Sequence, residues 1–311
     1  MLLVRSHGAK DVCRTGSVPV GSGSGTALLQ NARVANHPDF GVVLARLLNH
    51  RRVDVAWLSS ATSISESELR SVVSGVPPLA SQLHVLAPAL GFHVDDIHVI
   101  AGVPLPESRT CQRPAAGSGI AGLVKITMAL PSDLRNRIHC LIDQLPSEPE
   151  DCTSEPLRTY DQAELGFGAI LVNLLCGNRN LHSVTAAAKT LAVVTSGRLF
   201  LAASTIHGIG RGRVPLTPTL VTGFATTLGI AADDLAAMTG TGLPDPPWPD
   251  DPLAAEMAEM LWKCRHLTAA QIESVYAEAE SMLVAVPADG TDEDWTRVSH
   301  HHGRWWGAPR R

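Results

Sequence analysis

Leu90-Gly91-Phe92-His93-Val94-Asp95-Asp96-Ile97-His98-Val99-Ile100-Ala101-Gly102 returns later in the chain as Leu228-Gly229-Ile230-Ala231-Ala232-Asp233-Asp234-Leu235-Ala236-Ala237-Met238-Thr239-Gly240. Each copy reads as the end of one helix, a Gly stop, an Asp-marked start and a short apolar helix closed by a second Gly. Gly suits the left-handed residue that ends a helix, and Asp near the next start favours its open N–H groups and dipole. The paired acids therefore read as helix caps. A repeat of this kind points to two copies of one small helical domain, and its register tells where the upstream helices of each copy should lie.

The bulk composition agrees with small helical domains. The 311 residues leave room for two or three of them. Apolar residues make up 45% and charged residues 18%, a globular balance, while aromatics at 4% argue against a sandwich or barrel. No apolar run approaches the roughly 18 residues of a membrane helix. Arg5 interrupts Met1-Leu2-Leu3-Val4 before a signal-peptide core forms, so a cytoplasmic protein with no membrane association is expected. Cys13, Cys111, Cys140, Cys152, Cys176 and Cys264 form no C-x-x-C pair and read as reduced thiols, with no metal site among them. The net charge of −5 does not advertise a nucleic-acid partner, but its distribution is uneven. Residues 164–240 hold five basic against three acidic residues, whereas residues 241–311 hold six against twelve. The second copy is thus locally basic in an acidic protein.

Residues 1–36 read as a disordered arm, with Gly21-Ser22-Gly23-Ser24-Gly25 as flexible-linker chemistry. The first copy occupies residues 37–104. Phe40, Val43, Leu44, Leu47 and Leu48 recur at helical spacing. Asp54 caps a second helix through Ala56, Leu58 and Ala61, and Thr62-Ser63-Ile64 forms a tight turn. Ser65-Glu66-Ser67-Glu68 is a capping box that opens a third helix through Leu69, Val72 and Val73. A fourth carries Leu83, Leu86 and Leu90, and the quoted stretch supplies the fifth. Five short helices with a tight turn between the second and third follow the helix-turn-helix plan.

The spaced markers Phe40-Gly41, Leu47-Leu48, Leu58, Ala61, Ile64-Ser65, Leu69, Val72, Gly75, Pro78, Leu86-Ala87 and Leu90 resemble the XRE family of lambda-repressor-like DNA-binding domains, over Pro38 to about Pro104. The chain departs from that pattern in having Ser63 where the turn usually holds Gly, and in presenting Glu66 and Glu68 on the helix that would meet DNA. Ser67 and Arg70 are the residues of that helix suited to DNA.

Residues 105–163 read as a linker with one short helix that starts at Pro131-Ser132-Asp133; residues 123–130 alternate weakly, as in a short strand. Arg135, Arg137 and His139 read as a solvated face of that helix. The second copy occupies residues 164–241, with Phe167-Gly168 repeating Phe40-Gly41 and Leu174-Leu175 repeating Leu47-Leu48. The register shifts by 127 residues at Phe40/Phe167 but by 137 at Leu69/Ile206, so about ten residues are inserted, around residues 191–200. Either a lengthened second helix or a small hairpin wing accommodates them. The third helix of this copy then runs from Ala202 to Ile209, with Ile206 and Ile209 inward and Ser204, Thr205 and His207 outward. Gly208 and Gly210 weaken it by roughly 1 kcal/mol each and leave it soft. Residues 242–285 read as a C-terminal helical hairpin and residues 286–311 as a flexible tail with His300-His301-His302 and Trp305-Trp306. The two-domain layout is similar to actinobacterial XRE-type regulators.

The expectation is an all-α protein with two five-helix helix-turn-helix domains, acting as a sequence-specific transcriptional regulator on double-stranded DNA. The resemblance implies base contact by Ser204, Thr205 and His207, with Arg198, Arg211 and Arg213 reaching phosphate or guanine. One chain can then read two half-sites, or a homodimer can read more. The alternative is a protein-interaction module whose helix-turn-helix units have lost DNA contact. Gly208-Ile209-Gly210-Arg211-Gly212 has the spacing of a phosphate loop but lacks the strand before it and the Lys-Ser/Thr after it, so it reads as a helix end and a basic loop. No signature joins Ser, Cys or His into a catalytic group; neither an enzyme nor a cofactor is expected.

Overall fold

The computed structural model describes residues 39–104, 117–146 and 159–284, all within one compact unit that spans Asn36–Arg311. The N-terminal arm and the His- and Trp-containing tail lie outside the described residues. Among those described, fifteen α-helices and no strand are present. No helix among them is long and apolar enough to cross a membrane.

Five helices make up the first copy: α1 (Phe40–Arg51), α2 (Val55–Thr62), α3 (Glu66–Val73), α4 (Ala80–Ala89) and α5 (Val94–Ala101). Their ends obey the local signals. The Asp54 carboxylate accepts from Trp57 N–H at 2.8 Å, and Ser65 and Glu68 close the capping box in both directions. Ser63 ends α2 in the left-handed conformation at φ 60°, the geometry that its place in the turn demands and that Gly reaches without strain. Leu44, Leu47, Leu58, Leu69, Leu83, Leu86 and Leu90 meet in a dry core.

The second copy repeats the order as α9 (Phe167–Cys176), α10 (Val184–Val194), α11 (Ala203–Gly210), α12 (Pro218–Leu228) and α13 (Ala232–Thr239). Helices α3 and α11 have equal length, as do α5 and α13. Gly91 and Gly229 both stand near φ 70°, and so do Gly102 and Gly240. Glycine also fixes the same crossing in each copy. A Cβ on Gly41 would lie 2.3 Å from the Val72 carbonyl oxygen, and one on Gly168 would lie 2.4 Å from that of Ile209. The first helix of each copy thus rests directly on the backbone of the third. The insertion lengthens α10 and replaces the short turn of the first copy with the loop at residues 195–202; it makes no hairpin wing.

Between the copies lie α6 (Gly117–Met128), α7 (Ser132–Gln144) and the single turn α8 (Gln162–Leu165), and after them α14 (Pro252–Lys263) and α15 (Ala269–Val284). The alternation at residues 123–130 is not a strand. Residues up to Met128 belong to α6, whose Ile120, Leu123 and Val124 are fully buried. It packs against α10, α14 and α15. Its glycines admit neighbours that a side chain would exclude: Gly117 lies against the Leu181 carbonyl and Gly119 against Ile272. On α7, Arg135 and His139 are not solvated. Arg135 Nε donates to Glu256 of α14 at 2.9 Å, and His139 Nε2 stands 3.5 Å from the same carboxylate.

The two copies are joined reciprocally. Helix α1 packs on α13, and α9 packs on α5. Arg51, the last residue of α1, grips Asp234 of α13 through Nε at 2.9 Å and Nη2 at 2.6 Å. Arg179, just past α9, grips Asp96 of α5 through both Nη atoms at 2.8 Å. Asp96 and Asp234 hold the same place in the repeated stretch, so these two of the acids read as caps are cross-copy partners instead, whereas Asp233 does accept a first-turn N–H, that of Asp234, at 2.9 Å. The N-cap positions are His93 and Ala231, and neither makes a side-chain cap bond. The two ends differ in cover. Arg179 and Asp96 are buried; Arg179 also donates to the Leu228 carbonyl at 2.7 Å and lies 4.8 Å from the centre of the Trp262 ring. The Arg51 side chain keeps 28% of its surface in water.

Candidate nucleic-acid interface

Helix α11 and the loop that follows gather most of the residues expected to meet DNA. Ile206 and Ile209 are fully buried and lock the helix onto α9 and α10. That packing turns Ser204 outward and leaves Thr205 half-buried. The helix ends at Arg211, whose N–H reaches the His207 carbonyl at 3.1 Å. Gly212, at φ 64°, then reverses the chain, and Arg213 N–H returns to the Gly208 carbonyl at 2.8 Å. Arg211 and Arg213 are both exposed and make no side-chain ion pair with any described residue.

His207 is not simply outward. It is half-buried, and its Nδ1 lies 2.7 Å from the Tyr160 hydroxyl. Tyr160 is itself fixed, because its N–H donates to Asn173 Oδ1 at 2.9 Å and its carbonyl accepts from Asn173 Nδ2 at 2.8 Å. Its ring fills the space that a Cβ on Gly210 would need, and Val214 does the same at Gly208. The two glycines are therefore close-packing positions, not a source of softness. No sequence pattern announced Tyr160, which stands 47 residues from His207.

The remaining expected residues are dispersed. The exposed Arg198 is drawn toward Trp248, with its guanidinium carbon 5.8 Å from the ring centre. Arg179 is fully buried and cannot extend a basic surface. In the first copy Ser67 is exposed, its hydroxyl 3.1 Å from that of Ser65. Arg70 is exposed but paired with Glu66, one turn earlier on α3. Glu68 is occupied by the capping box, where the Ser65 hydroxyl and backbone N–H hold its carboxyl below the ordinary range. The exposed apolar residues Trp57, Val76 and Leu79 belong to this copy.

Among the described residues, His50, Asp233 and Asp234 alone bring three possible metal-ligand atoms within 4.8 Å of one another. His50 Nε2 lies 3.3 Å from Asp233, while Arg51 already holds both oxygens of Asp234. A cation would have to share that carboxylate with a guanidinium, so the group fits an ion-pair network better than a metal centre. No family model, curated protein or solved structure matches the chain.

Proposed function

We propose that the chain is a sequence-specific DNA-binding transcriptional regulator built from two helix-turn-helix domains of the XRE type. The observation that carries this reading is the exposed set Ser204, Arg211 and Arg213 on a short helix anchored by Ile206 and Ile209. Hydroxyl and guanidinium groups on one rigid helix and its adjoining loop suit base edges and phosphates. The equal lengths of α3 and α11 and the matching Gly41 and Gly168 contacts support treating the two copies as one kind of domain. In this reading α11 makes the principal DNA contact.

The test is Arg211→Ala combined with Arg213→Ala, measured by fluorescence anisotropy on a duplex enriched from a randomised pool. Removal of two phosphate contacts weakens binding and flattens the slope of log affinity against log salt by about 2. An unchanged slope would remove these residues from the interface. A protein partner is the second reading, and the first copy is where it is favoured. There Arg70 is neutralised by Glu66, and Trp57, Val76 and Leu79 expose apolar surface. Exposed apolar side chains and a neutralised arginine suit a protein better than a polyanion.

A further inference from the structure

The junction between the copies has the form of a two-fold dimer interface. In such an interface one patch faces its own equivalent, so that residue i meets j and j meets i. Here α1 meets α13 while α9 meets α5. Arg51 meets Asp234 while Arg179 meets Asp96. The two aspartates occupy one position of the repeat, the third residue of an eight-residue helix, and each arginine stands at or just past the end of a first helix. The surfaces through which two such domains from separate chains would pair in this manner are thus already closed within one chain. The outer residues of the third helices stay outside this junction: Ser67 and Arg70 on α3, and Ser204, Arg211 and Arg213 on and after α11, are exposed.

We propose that the protein binds duplex DNA as a single-chain pseudo-dimer, one polypeptide per site, and that the site it selects lacks two-fold symmetry. The inference rests on the DNA-binding reading above and adds stoichiometry and the class of site. The asymmetry follows from the chemistry of the two third helices. The second copy offers Arg211 and Arg213 with no ion pair among the described residues, whereas the one arginine of α3 is tied to Glu66. A homodimer presents the same helix twice and favours an inverted repeat. This chain presents two different helices from one junction, so one half of its site is read strongly and the other weakly.

The experiment uses the full chain and a pool of random duplexes. Selection gives a motif, and sedimentation of the complex at protein concentrations well above Kd gives its mass. The expected result is a non-palindromic motif bound by one chain. Duplex carrying only the stronger half retains most of the affinity, within about tenfold of the full site. A palindromic motif bound by two chains would leave the DNA-binding reading standing and overturn the single-chain inference. Failure of the pool to enrich at all would overturn the DNA-binding reading, and the inference with it.

Discussion

Arg179 and Arg51 make the same kind of contact in two different environments, and the difference decides what each is worth. Arg179 is buried with Asp96, so Arg179→Met leaves a carboxylate in a dry site with only Asn178 Nδ2, at 2.9 Å, to satisfy it. The expected loss is about 3–5 kcal/mol in urea unfolding. Arg51→Met removes a partly solvated partner and is expected to cost about 1 kcal/mol or less. Equal losses would mean that the cover given by Trp262 has no energetic weight. His182 sets a pH dependence. Its Nε2 bonds Asn180 Oδ1, its buried Nδ1 has no partner, and burial pushes its pKa down to about 4. The folded protein holds it neutral while the unfolded chain protonates near 6.5. Its contribution is therefore complete above about pH 6.5 and is lost as pH falls toward 4. Burial moves His93 and His139 the same way. Between about pH 7 and about pH 5 the urea midpoint should fall, and fall less in His182→Asn. Asn tolerates the left-handed φ of 52° at that position.

At the scale of elements, the glycines separate two kinds of necessity. Gly168→Ala drives a methyl into the Ile209 carbonyl and the backbone on either side has no side chain to move, so a loss of about 1–3 kcal/mol or more is expected. Gly91→Ala meets nothing within 4 Å and bears only the left-handed φ of 70°, a cost of roughly 1–2 kcal/mol. Thermal unfolding of the two variants should rank them in that order. The same distinction explains what could be read from the sequence. Caps and left-handed stops are local, so α2, α3, the Ser65–Glu68 box, and Gly91, Gly102, Gly229 and Gly240 were legible. The Thr268–Gln271 box at the start of α15 is local in the same way, closing at 2.9 and 3.1 Å. Helix α6 was not, because Gly117-Ser118-Gly119 looks like a loop until Leu181 and Ile272 are known to press against it. Tyr160 escaped notice because its partners lie on α9 and α11, far from it in sequence.

Across the whole molecule, the repeated stretch proved to be more than a register mark. Its periodicity placed Ile206 opposite Leu69, and both are buried as that register requires. Its acids, however, satisfied two explanations at once. A carboxylate in the first turn of a helix suits the dipole, and nothing local distinguishes that from a bond to an arginine 83 or 183 residues away. Long-range pairing is invisible to a reading by periods, so the candidate DNA-contacting residues could be named while the junction between the copies could not. The buried connector helix carries one more consequence. Because α6 lies between α10 and α15 and its Gly117 seats on the loop before α10, the second copy borrows one wall from sequence that precedes it and another from sequence that follows. During synthesis, the face of α6 that meets α15 stays uncovered until α15 has left the ribosome.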